Sequence, residues 1–175
     1  VLPEQVIGLG LDVTSTTMLP TTAEGRPLCE LPQYASEPHA YIKMWKHHGA
    51  ARQAERMQRL AESGNVPWLS RFGGYISAEH YLPKAAQIAD EAPRLFDDCG
   101  RLIEVGDWLV WQLTGIESRG YCAAAFKTYY SLEKGDVDAA FLEKVSPRLF
   151  KLHEKLPSNV VMAGDAVGGL SADGA

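Results

Sequence analysis

Asp12, Thr14, Ser15, Thr16 and Thr17 put one carboxylate and four short hydroxyls within six residues of each other. A carboxylate accepts hydrogen bonds, and hydroxyls both donate and accept. Such a cluster suits a polyhydroxylated ligand. The same residue types build N-caps and turns, and spacing alone favours that structural use. Lys127 closes the small apolar run Cys122-Ala123-Ala124-Ala125-Phe126. A lysine in a confined site holds a hydroxyl or carbonyl as a point charge; the competing reading is a solvated lysine at the end of an element. Glu104 and Asp107 could form a carboxylate pair, with a helix cap the competing role for Asp107.

Other chemistries find no support in the sequence. Gly8-Leu9-Gly10 would need its third glycine at Val13, so a dinucleotide fingerprint fails. There is no P-loop, and no GxSxG elbow. His47 and His48 are neighbours and would point apart on a helix, and no HExxH supports a zinc site. Cys29, Cys99 and Cys122 match neither a zinc spacing nor a secreted disulfide framework, which points to a reducing, cytoplasmic setting.

The elements that must carry these residues follow from periodicity. Ile7, Leu9, Leu11 and Val13 alternate with Gly8, Gly10 and Asp12, the pattern of a half-buried strand ending in the carboxylate. Met18 to Thr22 leads into a turn at Gly25, with Pro27-Leu28-Cys29 returning as a hairpin. Tyr41 to Trp45 is a short strand candidate. Ala50, Ala54, Met57 and Ala61 recur at helical spacing, and Gly64 ends that helix. Ser77 is the expected cap of a helix carrying Leu82, Ala85 and Ala89, with Pro83 forcing a late start or a bend. Arg101 to Val105 reads as a strand. Asp107 is the expected N-cap of Trp108 to Thr114, and Gly115 the stop. That helix is apolar almost all round, so it is expected to be buried on most sides. Asp136 is the expected cap of a helix bearing Val137, Ala140, Phe141 and Val145. Strands and helices mix, which gives an α/β or α+β class.

The bulk numbers agree with one domain: 175 residues, 46% hydrophobic, net charge −5. Without a long basic run or an 18-residue apolar run, neither nucleic acid nor a membrane is an expected partner. The opening Val1-Leu2-Pro3-Glu4 reads as a cut end.

The ordered blocks of the chain resemble a known family. They are Gly8-Leu9-Gly10-Leu11-Asp12-Val13-Thr14 with Leu19-Pro20, Trp45-Lys46-His47-His48, Gln53-Ala54-Glu55-Arg56, Gly73-Gly74 with Ile76 to Glu79, Pro83-Lys84-Ala85, Glu104 to Gly115, and Cys122 with Ala124 to Lys127. From about Val6 to Leu170 the series resembles the ribulokinases of the FGGY carbohydrate kinase family. The resemblance implies an α/β, RNase H-like domain of the actin-like ATPase superfamily, a mixed sheet with flanking helices, here incomplete over 1–175. It implies an ATP-dependent parent enzyme that phosphorylates a ketopentose, L-ribulose first, at a terminal hydroxyl; D-ribulose, xylulose or another polyol is the alternative. ATP and Mg²⁺ would bind mainly to a C-terminal domain that the chain lacks, and none is expected on the chain itself.

By the same resemblance, Asp12, Thr14 and Ser15 fall on the sugar-facing loop, Lys127 on the sugar-contacting lysine, and Trp45 on a pocket wall. The catalytic aspartate segment of the family would come after Ala175. Asp165 in Ala163-Gly164-Asp165-Ala166 is similar to it, but no His follows, and Val167 to Leu170 matches the stretch preceding that segment. Asp165 is therefore a marginal candidate, and no catalytic residue is assigned. The expectation is a piece that does not turn over alone, with a non-catalytic sugar-binding or structural fragment as the alternative. An exposed sheet edge would also allow a homodimer.

Overall fold

A computed structural model describes residue 2 and residues 5–174; the side chain of Lys127 lies outside the described set. So do Val1, Pro3 and Glu4, and with them the reading of a cut end.

The helical layer forms where the periodicity requires it. Helix α1 (Ala51–Ser63) buries Gln53, Ala54, Met57 and Ala61, and Gly64 caps it. Arg56 and Gln53 on this helix donate to Asp90 at 2.7 and 3.1 Å, which ties α1 to α3 (Tyr81–Glu91). Pro83 lies in the first turn of α3, where its missing N–H leaves no intrahelical bond unmade, so the helix starts late. Its N-cap is His80; Ser77 instead accepts from the Glu79 N–H in the preceding turn. After the short helix α2 (Trp68–Arg71) and α3 comes α4 (Pro93–Asp98), with proline at its first position. Met57, Ile88, Leu95, Phe96 and Leu152 meet in one core, each fully or almost fully buried. Each such side chain contributes about 1.5–3 kcal/mol of transfer free energy.

Two small sheets flank this layer. β1 (Met18–Thr21) pairs antiparallel with β2 (Arg101–Glu104), Met18 opposite Glu104 and Thr21 opposite Arg101. β3 (Arg119–Gly120) pairs in parallel with β4 (Val160–Val161). The hairpin turn forms at Gly25, where φ is +87°, but its return is a single bridge from Thr21 to Pro27 before a 3-10 turn at Leu28–Glu30. Tyr41 to Trp45 likewise contributes one bridge, Lys43 to Met18. In the chain α5 (Val105–Thr114) links β2 to β3, and α6 (Tyr121–Lys127) and α7 (Ala139–Val145) lie between β3 and β4.

The structure corrects four further expectations. The alternating stretch from Val6 to Val13 joins no strand among the described residues, with Ile7, Leu9 and Leu11 exposed. Alternation makes a strand only where a neighbouring strand and an apolar layer exist, and the described residues supply neither at this stretch. Helix α5 starts at Val105 rather than Trp108, and Asp107 sits inside its first turn instead of capping it. Gly115 does end it, at φ +72°. None of the α5 residues is fully buried. The Gly25 turn covers one side, Trp108 Nε1 donating to the Gly25 carbonyl at 2.7 Å, and the tail near Ser171 binds the Leu113 carbonyl at 2.9 Å. An apolar helix is buried only as far as layers cover it, and here two thin segments do so. The cap of α7 is Asp138, whose Oδ1 accepts from the N–H groups of Ala140 and Phe141. Asp136 is occupied elsewhere, receiving Arg119 Nη1 at 2.8 and 3.0 Å.

Candidate functional site

The hydroxyl cluster occupies the short segment that enters β1. Its geometry is set at Thr16, a fully buried residue with φ +66°. The left-handed region is costly for a β-branched residue and persists only where the surroundings dictate it. The surroundings here are two buried ionisable side chains. Glu104, the last residue of β2, accepts the Thr16 N–H at 2.9 Å. Lys84 of α3 donates to the Thr16 carbonyl at 2.8 Å. The Val105 N–H donates to the Thr17 carbonyl at 2.8 Å, continuing the β1–β2 ladder. Thr14 and Ser15 are thereby turned toward a hollow of about 240 Å³.

Three elements wall this hollow. Val13, Thr14 and Ser15 come from the segment before β1, Glu104 and Asp107 from the β2–α5 junction, and Cys122 and Phe126 from α6. The carboxylates on its floor are not ordinary surface acids. Burial pushes Glu104 up to about 8, relieved in part by the Thr16 N–H, and the Asp107 charge pushes it the same way. Burial also raises Asp107, while the Gly120 N–H, which donates to Oδ1 at 2.9 Å, and the Arg119 charge oppose the rise. Among the described residues Asp107 Oδ2 is buried without a hydrogen-bond partner. At neutral pH Glu104 is therefore largely protonated, able to donate as well as accept. With the hydroxyls of Thr14 and Ser15 opposite, the hollow offers hydrogen-bond donors and acceptors of the kind that polyol hydroxyls match.

The residues singled out by sequence separate into groups. Thr14 and Ser15 meet at the hollow, on the wall facing α6, whose last residue is Lys127. The Lys127 side chain, on which much of the sugar reading rests, lies outside the described residues. Asp12 is exposed and is not part of the lining. Trp45 does not line the hollow with its side chain, but its carbonyl receives Lys84 Nζ at 3.1 Å, next to Thr16. Asp165 is exposed, in a turn where its Oδ2 accepts the Met162 N–H at 3.1 Å, away from the hollow. Lys84 is the residue that sequence reasoning passed over. Its spacing from Tyr81 and Ile88 places it on the apolar face of α3, a signal that it is buried and engaged.

Among the described residues no three His, Cys, Asp or Glu side chains converge as metal ligands. Gly8 and Gly10 have open space where a Cβ would stand, so they cradle nothing. His47 and His48 are held by Gln87 and Glu79, each at 2.7 Å.

No family model matches the chain. Curated relatives do. A ribulokinase of Bacillus licheniformis is 40% identical over 172 residues, 98% of this chain and 31% of that protein. One from Mycolicibacterium smegmatis is 39% identical over 174 residues, and one from Staphylococcus aureus (strain Newman) 36% over 169. The chain thus spans about 31% of the length of these relatives. Among solved structures, a xylulose kinase from Bifidobacterium adolescentis superposes with a TM-score of 0.61 at 16% identity, covering 87% of this chain and 36% of that one. A gluconate kinase from Lactobacillus acidophilus gives 0.59 at 12% identity over 97% of this chain and 32% of that one. The fold is that of part of a sugar kinase, and nearly the whole chain is homologous to ribulokinases.

Proposed function

We propose that this ribulokinase homologue is the sugar-facing part of an ATP-dependent kinase that phosphorylates a ketopentose, L-ribulose first, at a terminal hydroxyl. The observation that carries the reading is the 40% identity to a ribulokinase over 98% of the chain. The hollow between Thr14, Ser15 and α6 supports it, because its donors and acceptors suit a chain of hydroxyls. In this reading the domain is an incomplete RNase H-like unit, ATP and Mg²⁺ are held by the remainder of the parent protein, and the parent is cytoplasmic. Lys127, at the end of α6, contacts the sugar as a cation. Phosphoryl transfer relies on positioning and charge stabilisation. The part this chain plays is the first of these: Thr14, Ser15 and Lys127 orient the acceptor sugar. Neither the phosphate donor nor the base falls among its residues.

The test pairs calorimetry with an assay. L-Ribulose is titrated into the 175-residue chain, and the chain is incubated with ATP, Mg²⁺ and L-ribulose. Binding that weakens about tenfold in Lys127→Ala, with no turnover, is expected. Absence of any binding, or phosphorylation by the chain alone, refutes the reading.

A further inference from the structure

Two parts of the chain assigned to the sugar, Thr14–Ser15 and Trp45, lie some 30 residues apart and share no strand. Beyond the backbone bridge between Met18 and Lys43 at their edge, one side chain joins them. Lys84 Nζ donates to the carbonyls of Thr16 at 2.8 Å, Met44 at 2.8 Å and Trp45 at 3.1 Å. A lysine ammonium has three N–H donors, and besides these three carbonyls the Thr16 Oγ1 lies at 3.5 Å. Lys84 is fully buried on a helix otherwise packed into the core, so its position is fixed by α3 and not by solvent. Glu104 grips the same residue from the other side, accepting the Thr16 N–H at 2.9 Å from the end of β2. Both backbone groups of Thr16 are therefore held by buried side chains from two different elements. The held residue sits at φ +66°, a conformation threonine does not adopt unaided.

We propose that Lys84 and Glu104 are positioning residues: they clamp Thr16 in its left-handed turn so that Thr14 and Ser15 face the hollow at fixed height, and Lys84 carries the Trp45 segment along with them. Neither residue needs to touch sugar through Lys84 Nζ or Glu104 Oε1, since those atoms are committed to backbone. The clamp deepens the carbohydrate reading above and rests on it for its purpose, not for its geometry. A residue that only filled core space would act through volume. A clamp acts through an acceptor at the Glu104 position and a donor at the Lys84 position, and substitutions of equal size separate the two.

The experiment compares Glu104→Gln, which keeps an acceptor oxygen, with Glu104→Ala, and adds Lys84→Met, which keeps the stem but not the donors. Two quantities are read in the 175-residue chain: hydrogen exchange of the Thr16 amide by NMR, and L-ribulose affinity by calorimetry. Expected are Thr16 protection reduced at least tenfold in Glu104→Ala, with protection at Ala85 and Ile88 unchanged, and L-ribulose binding about tenfold weaker in both Glu104→Ala and Lys84→Met. Glu104→Gln should stay within about twofold in Thr16 protection. If Glu104→Ala does not fold, Glu104→Asp takes its place, withdrawing the carboxylate by one methylene. Thr16 protection that survives loss of the acceptor overturns the clamp, and so does a Gln variant that falls as far as Ala. If the unaltered chain binds no L-ribulose, the carbohydrate reading fails and the exchange data still decide the clamp.

Discussion

Replacing Glu104 by glutamine should change how stability depends on pH. Burial holds the Glu104 carboxyl at about 8 in the folded chain, against an ordinary 4.5. Below 4.5 folded and unfolded chains both carry the proton, and nothing is lost. From there to about 8 the unfolded chain has released its proton and the folded chain has kept it, so stability falls as pH rises, and the loss levels off beyond. The interval from 4.5 to about 8, at about 1.4 kcal/mol per pH unit, amounts to about 5 kcal/mol. Glutamine has no proton to release and keeps the acceptor for the Thr16 N–H. Urea unfolding of the unaltered chain and Glu104→Gln at about pH 5 and about pH 8.5 is the assay. The stability of the variant relative to the unaltered chain should rise by about 4 kcal/mol between the two pH values. A change under about 1 kcal/mol would mean that Glu104 is ionised in the folded chain at neutral pH, and the reasoning fails.

Four further perturbations test the fold. In Gly100→Ala the new Cβ meets the Ala23 Cα and the Thr22 carbonyl carbon at 2.7 Å, backbone atoms that cannot swing aside; thermal melting should show a loss of about 1–3 kcal/mol. Met57→Ala opens the fully buried centre of α1 and should cost about 2–5 kcal/mol in urea unfolding. Asp138→Ala removes a helix cap and should cost about 1 kcal/mol. Asp136→Ala strands Arg119, whose side chain is 5% exposed, and should cost about 3–5 kcal/mol; the opposite order would sink the assignment of the two aspartates.

The helical half of the molecule was legible because periodicity and punctuation agreed there. Ala54, Met57, Ala61 and Gly64 announced α1, and Pro83 announced the late start of α3. Failures occurred where a local signal had two physical uses. Asp107 and Asp136 both have the look of caps, yet one accepts the Gly120 N–H and the other an arginine, partners distant enough that no spacing rule reaches them. The alternation from Ile7 to Val13 is correct for a strand, but pairing is a property of two segments, and the second is not in view from the first. The site was half legible. Thr14 and Ser15 stood out by type and Glu104 as one half of a possible pair with Asp107, whereas its grip on Thr16 was not foreseen and Lys84 looks in sequence like any lysine in a helix.

The wall of the hollow carries a built-in reporter. Alkylating reagents attack thiolates. Cys122 is exposed on that wall, whereas Cys99 is buried, its Sγ donating to the Arg101 carbonyl and its thiol pushed up by burial to about 11. Cys122 of the unaltered chain can therefore be labelled while Cys99 stays silent, and half-buried Cys29, on the Leu28–Glu30 turn outside the lining, serves as the internal reference. Any molecule that settles between Ser15 and Phe126 shields Cys122 and slows its labelling without touching the other two.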